Sequence, residues 1–153
     1  MKDLNLWLDI YGLWGGMTGA SATISVGSSS QTFDNILGGL HAEMNGLNQM
    51  SDLMSGQDVI ISNVTGHFYD GIDRPVGMCV NCRTDMFDVL EANGAKSVTL
   101  TVTKSNVKIE NITIPRENFG AVQQELDKIK NSIKGNRQRS DKAWEVLEKH
   151  SLH

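Results

Sequence analysis

Two short stretches, far apart in the chain, carry residue types that bind metal ions together. One is His41-Ala42-Glu43, and the other ends in Cys79-Val80-Asn81-Cys82. One imidazole and two thiols form a ligand set that zinc prefers in tetrahedral geometry. Three protein ligands leave the fourth position open for water, as in catalytic rather than structural zinc sites. The fold is therefore expected to bring the two stretches together, with Glu43 as a proton shuttle beside the metal.

Each of these residues has a simpler interpretation when it is taken alone. A Cys-x-x-Cys pair also occurs as a thioredoxin-like redox pair in a βαβ unit. His41 alone, beside an apolar helical stripe, would be a core histidine, and Glu43 alone would be a solvated carboxylate. The redox motif needs no histidine with a glutamate two residues later, so the combination favours a metal site.

The spacing of these residues resembles a known pattern. His-x-Glu followed by Pro-Cys-x-x-Cys is typical of zinc-dependent nucleobase deaminases. This chain has the His-Ala-Glu and the Cys-x-x-Cys, but Pro75 stands four residues before Cys79 rather than directly before it. The form Pro-x-Gly-x-Cys-x-x-Cys resembles the bacterial polymorphic-toxin deaminases, in particular the double-stranded DNA cytosine deaminase toxin family. The resemblance lies in the motifs and covers roughly residues 20–114.

This resemblance implies a fold. It is an α/β fold of the cytidine deaminase type, a three-layer α-β-α sandwich with a mixed five-stranded sheet. The two β-rich segments 97–103 and 107–114, separated by a short turn, predict an antiparallel C-terminal hairpin in that sheet. At 153 residues the chain is expected to form one domain, with residues 116–153 as a C-terminal helical extension.

The resemblance also implies an activity, the hydrolytic deamination of cytosine to uracil in nucleic acid, with DNA as the favoured substrate. Zinc bound by His41, Cys79 and Cys82 would lower the pKa of a water molecule, and Glu43 would move its proton. Single-stranded DNA, double-stranded DNA and RNA all stay open as substrates. The alternatives are a free cytidine or nucleotide deaminase and a non-catalytic zinc module.

The toxins of this family act inside a competing bacterial cell and are neutralised by a cognate immunity protein. The resemblance implies the same for this chain. We expect this chain to be such a C-terminal toxin domain, excised from a longer polypeptide and delivered into a target cytoplasm. Asp3 and Asp9 interrupt the apolar start, which argues against a signal peptide. The sequence contains no run of 18 apolar residues, so it predicts no membrane-spanning helix.

The formal net charge of −4 is unusual for a protein that holds DNA by phosphate contacts alone. Basic residues nevertheless cluster near the C-terminus, at Lys128, Lys130, Lys134, Arg137, Arg139 and Lys142. This cluster is either a patch that faces phosphates or a solvated helix face.

Periodicity and turn residues predict the order of the elements. Expected strands are 20–26, 59–64, 97–103 and 107–114; expected helices are 33–54, 79–92, one starting at 115, and a short last one capped by Ser140 or Asp141. The first helix is expected to begin properly near Gly38-Gly39, with Met44, Met50 and Met54 in the core. Residues 4–14 fit either a strand or a helix.

Several polar and aromatic residues are candidates for substrate contact. Asn63 is expected at the end of the third strand, where the toxin family has a similar asparagine. Ser25, Ser28 and Thr32 are expected at the rim, around the loop before the metal helix. Phe68 and Tyr69 are able to stack a flipped base or to pack their loop onto the protein body. His67 is expected to be a surface histidine.

Overall fold

The computed structural model describes residues 17–36, 42–68, 70–75, 80–104, 107–132 and 136–152. The strands are β1 (Met17–Val26), β2 (Ser29–Ile36), β3 (Asp58–Phe68), β4 (Arg74–Pro75), β5 (Ser97–Lys104) and β6 (Val107–Pro115). The helices are α1 (Ala42–Gln49), α2 (Val80–Ala92), α3 (Phe119–Ser132) and α4 (Asn136–Lys149). Single 3-10 turns follow α1 at Ser51–Leu53 and β6 at Arg116–Asn118.

Five strands form one mixed sheet in the order β2-β1-β3-β5-β6, and the two-residue β4 pairs with β3. β1 is antiparallel to both β2 and β3, whereas β3 and β5 run parallel. β5 and β6 form an antiparallel hairpin. The predicted mixed five-stranded sheet and its C-terminal hairpin are therefore confirmed.

The core lies on one side of this sheet. The strand registers place Ile24, Ile61, Leu100 and Ile112 in one row across four strands, and all four are buried. Helix side chains close over them and belong to the same apolar cluster; they include Leu47, Phe87, Leu90, Phe119, Leu126, Trp144 and Leu147. All four described helices thus contribute to a single core. None of them combines the length and apolarity that crossing a membrane requires.

The opposite face of the sheet is polar. Cross-strand pairs join Thr23 to Thr32, Ser25 to Ser30, Thr99 to Thr113 and Thr101 to Asn111 at 2.8–3.0 Å. Each pair consists of residues directly opposite in register. Because side chains alternate between the faces of a strand, the apolar residues fill one side and these polar residues line the other. We call this side the open face; Ile60 lies on it and is 42% exposed.

The segment 29–36 differs from its prediction. The sequence predicts a loop followed by a helix start here, but the segment is strand β2. Gly27 has φ +60 and begins a two-residue hairpin turn, a place where glycine is favoured. Only Phe33 of this strand is buried among the residues whose side chains are described, so the apolar signal for a strand is weak. The predicted helical residues Met44, Met50 and Met54 are confirmed in the core.

The ends of the other helices and strands agree with the sequence-based prediction in some places and differ in others. β3 runs to Phe68 rather than ending near Val64. α2 ends as predicted before Asn93-Gly94, and Gly94 has φ +77. The third helix begins after a 3-10 turn, while α4 begins at Asn136, before the predicted cap. Leu152 is 61% exposed and does not join the core. Residues 4–14 and Gly38-Gly39 lie outside the described residues.

Candidate metal centre

The topology brings the beginnings of α1 and α2 to one end of the sheet. β2 and β3 run in the same direction, since both are antiparallel to β1. Their ends are level, because Gly19 of β1 is opposite Ile36 on one side and opposite His67 on the other. α1 follows β2 and α2 follows the β3–β4 hairpin, so each helix starts at this end and runs back toward the start of the next strand. The two helices also contact each other.

Two of the predicted metal and catalytic residues lie within these two helices. Glu43 is the second residue of α1, and Cys82 is the third residue of α2. His41 and Cys79 immediately precede the two helices in sequence and lie outside the described residues. Because successive helix positions differ by about 100°, His41 and Glu43 are able to serve one site only at a helix start.

The donor set suits zinc, although its central members fall outside the described part of the chain. In the sequence, one histidine and two cysteines stand at or just before the first residues of these two helices. The N-terminus of α2 favours negative charge, which lowers the cost of forming a thiolate there. Within the described ranges alone, no group of three His, Cys, Asp or Glu side chains is placed to hold a metal ion.

A tightly bonded loop lies beside this end of the sheet. Asp70 pairs with Arg74, with Asp70 Oδ2 2.6 Å from Arg74 Nη2. The Asp70 carboxylate also accepts a hydrogen bond from the backbone N–H of Ile72 at 2.9 Å. The hydrogen bond from Arg74, reinforced by that from Ile72, holds the pKa of Asp70 below its ordinary value. Within this loop, the negative charge of Asp70 is therefore paired with the positive charge of Arg74.

The structure gives Phe68 and His67 definite surroundings. Phe68 is buried, and the Arg74 guanidinium carbon lies 4.7 Å from the centre of its ring. Of the two roles predicted for Phe68, its burial favours packing of the loop onto the protein body over stacking of a flipped base. His67 is partly exposed, and its Nδ1 lies 2.9 Å from Asp73 Oδ1. Tyr69 lies outside the described residues.

Asn63 lies within β3, five residues before its end, and not at the end as predicted. Its φ is +52, and the β1–β3 register shifts between Ser21 and Thr23, which marks a β-bulge. The residue is exposed, and it lines a groove of about 510 Å³ on the open face. The structure thus places Asn63 beside Ser62 and Thr101, on the face opposite the helices.

Ser25, Ser28 and Thr32 do not lie on a loop before α1. Ser25 and Thr32 belong to the β1–β2 hairpin, and Ser28 is in its turn. Ser25 is six residues from Gly19 along β1, roughly 20 Å at the usual strand rise. The hairpin turn therefore lies at the end of the sheet away from the start of α1, which removes the structural reason for placing Ser25 and Ser28 at the rim.

The open-face groove was not predicted. Its walls come from β3, β5 and β6, and the lining residues are Ile60, Ser62, Asn63, Thr99, Thr101, Glu110 and Asn111. The alternation of Thr99 and Thr101 with Val98 and Leu100 was the available signal, since it marks a strand with one polar face. No sequence pattern indicates which face of the sheet the described helices cover.

No protein-family model, no curated protein and no solved structure matches this chain.

Proposed function

We propose that this protein is a zinc-dependent hydrolytic deaminase that converts cytosine to uracil in nucleic acid, with DNA as the favoured substrate. One observation supports this proposal most. The two helices that begin at the His-x-Glu and Cys-x-x-Cys motifs start at the same end of the sheet and contact each other. This arrangement supports a single site shared by two motifs that stand 38 residues apart in sequence, from His41 to Cys79.

In this proposal His41, Cys79 and Cys82 hold zinc. The metal supplies Lewis acidity that makes a water molecule nucleophilic near neutral pH. Glu43 removes a proton from that water and delivers it to the ring nitrogen N3, while the water oxygen bonds to C4. Glu43 then takes the remaining proton from the new hydroxyl group at C4 and passes it to the amino group on the same carbon. The C4–N bond breaks, and the products are uracil and ammonia.

The finer fold assignment is part of the same proposal. The described residues form two layers, a sheet and the helices on one of its sides. A cytidine deaminase-like sandwich has a third, helical layer, which would lie on the open face. We propose the cytidine deaminase-like three-layer sandwich as the fold of the whole domain.

The biological role follows from the resemblance of the motifs. We propose a toxin domain that acts in the cytoplasm of a competing bacterial cell and is neutralised by a cognate immunity protein. An immunity protein that covers the helix starts would block access to Glu43. The net charge of −4 supports a substrate held mainly at the active site rather than by a broad basic surface.

The test is a deamination assay on four matched substrates: single-stranded DNA, duplex DNA, RNA and free cytidine. Uracil excision or sequencing reports the product in nucleic acid. We expect activity on DNA and none with an added zinc chelator. Activity on free cytidine alone would instead assign the chain to nucleoside metabolism. Bound zinc without activity on any substrate would favour the non-catalytic zinc module.

Glu43→Ala should abolish deamination while leaving the fold and the zinc content intact. Removing a general acid-base costs about 10²- to 10⁴-fold in rate, and here Glu43 serves both proton transfers. The measurements are the single-turnover deamination rate, the zinc content and the circular dichroism spectrum. Asp52→Ala is the matched control, because Asp52 is an exposed carboxylate in the 3-10 turn beyond the far end of α1. A Glu43→Ala enzyme as active as Asp52→Ala would contradict the mechanism.

A further inference from the structure

Arg74 forms hydrogen bonds to two residues in the loop between β3 and β4. Arg74 Nη2 and Nη1 donate to Asp70 Oδ2 at 2.6 Å and Oδ1 at 3.4 Å, so the ion pair is a two-pronged fork. Arg74 Nη1 also lies 3.4 Å from the carbonyl oxygen of Ile72. Gly71 N–H donates to the carbonyl oxygen of Phe68 at 2.9 Å. The end of β3, the loop tip and β4 are therefore tied to one guanidinium group.

This arginine lies on the side of the sheet that carries the helices. Val64 packs against the core, and strand alternation places Gly66 and Phe68 on the same side. Arg74 is opposite Gly66 in the β3–β4 register, and its guanidinium covers the ring of the buried Phe68. The cation is thus enclosed by a ring and a carboxylate, with only 20% of its side chain exposed.

Arg74 also stands just before the metal-binding stretch. Pro75 is the last residue of β4, and Cys79 follows after four peptide bonds, a span of about 14 Å at most. The point where the chain leaves the sheet at Pro75 therefore limits where the first cysteine is able to lie. A fixed departure point reduces the conformational entropy that is lost when ligands close around a metal.

We propose that Arg74, held by Asp70 and Phe68, is a positioning residue that preorganises the cysteine half of the zinc centre. This inference rests on the proposed function. Arg74 acts through the backbone of β4 and touches neither metal nor substrate. Asp70 shares this role, because without its carboxylate the Arg74 guanidinium loses both hydrogen bonds of the ion pair.

The test compares Arg74→Ala, Asp70→Ala and the double variant in the full chain. Zinc affinity is measured by competition with a chromogenic chelator, at a temperature where circular dichroism shows every variant to be folded. Arg74 does not contact a metal ligand directly, so we expect both single variants to lose about 2- to 5-fold in zinc affinity, the effect of a partly exposed ion pair. The double variant should be no weaker than the worse single one, since both remove the same fork.

Two further variants separate positioning from general stability. Arg74→Lys keeps the charge but loses the fork and the planar stacking, so its zinc affinity should lie close to that of Arg74→Ala. Arg116→Ala is the matched control. Arg116 donates to the carbonyl oxygens of Ala95 and Glu91, beyond and within the C-terminal end of α2, each at 3.0 Å. We expect Arg116→Ala to lower the melting temperature and leave zinc affinity unchanged.

Each outcome has a distinct meaning. A wild-type chain whose zinc binding needs Cys82, together with unchanged affinity in Arg74→Ala, overturns the positioning role and leaves the proposed function standing. Equal losses of affinity in Arg74→Ala and Arg116→Ala also overturn it, because the effect then follows stability. A wild-type chain that binds no zinc overturns the proposed function and this inference with it.

Discussion

At the scale of single residues, Asn63 shows how a backbone position limits the choice of side chain. Its φ of +52 lies in the left-handed region, which costs most residues roughly 1–2 kcal/mol and costs glycine little. Asparagine tolerates this region better than other non-glycine residues. The asparagine in β3 is thus explained by the bulge, whether or not its amide also contacts substrate.

Replacing Asn63 by glycine and by alanine separates the two roles. Both variants lack the amide, but only alanine is strained at this φ, so Asn63→Gly should be more stable than Asn63→Ala by roughly 1 kcal/mol. In an ordinary strand the order is reversed, because glycine is the weaker former. Urea denaturation measures the difference. If Asn63→Gly is stable but deaminates slowly, the amide contacts substrate; equal stability of the two variants would contradict the bulge.

At the scale of elements, the packing of α1 on the β1–β2 hairpin depends on a glycine. A Cβ at Gly46 would lie 2.5 Å from Ile24 Cγ1 and 2.6 Å from Phe33 Cδ2. The helix is therefore able to approach the hairpin closely only without a side chain at this position. This contact holds α1, and with it the first turn that carries Glu43, against the sheet.

Gly46→Ala should destabilise the protein by roughly 1–3 kcal/mol, because overpacking outweighs the higher helix propensity of alanine. Gly120→Ala is the matched control, since Gly120 is also helical and its added Cβ would meet nothing within 4 Å. That control should gain roughly 0.4–1 kcal/mol. Urea midpoints of both variants give the comparison. A stabilising effect at Gly46 would mean that α1 does not pack as described.

Elements were predicted well where pattern and packing agree. The β5–β6 hairpin alternates clearly, and its registered pairs Thr99–Thr113 and Thr101–Asn111 match that alternation. β2 was missed, because its polar and hydroxyl residues carry little apolar signal. Its strand state depends on pairing with β1, a contact that local periodicity does not contain.

At the scale of the whole molecule, a charged cluster fastens the C-terminal helix to its neighbours. Glu125 of α3 lies 2.5 Å from His150 Nε2 and 3.0 Å from Lys149 Nζ. Asn118 donates to the carbonyl oxygen of His150 at 2.8 Å, and Leu152 N–H donates to that of Thr113. The hydrogen bonds from His150 and then Lys149 hold the pKa of Glu125 below its ordinary value.

This lowered pKa predicts a dependence of stability on pH. The ionised Glu125 stabilises the folded state fully above the ordinary value of 4.5, and this contribution is lost as pH falls through the lowered pKa. Urea midpoints measured across that range should fall less steeply in Glu125→Gln than in the wild type. Glu117→Gln, at an exposed site, should follow the wild type. Identical slopes for Glu125→Gln and the wild type would contradict the prediction.

The candidate site shows the same division between local and global information. The residue types at 41, 43, 79 and 82 were sufficient to predict a ligand set and a proton shuttle. The supporting loop was not predictable, since the pairing of Asp70 with Arg74 and the cover over Phe68 depend on how β4 returns to β3. The sequence indicated only a polar loop there.

The amino-acid sequence alone was sufficient to predict a ligand set for the candidate site and most of the helix and strand order, because ligand types and hydrophobic periodicity are local properties. The tertiary structure decided which strand ends are level, where β2 pairs and which face of the sheet the described helices cover. Those features depend on the direction and register of strands that are distant in sequence. Hydrogen bonds between such strands are set by the fold as a whole, so no single segment specifies them.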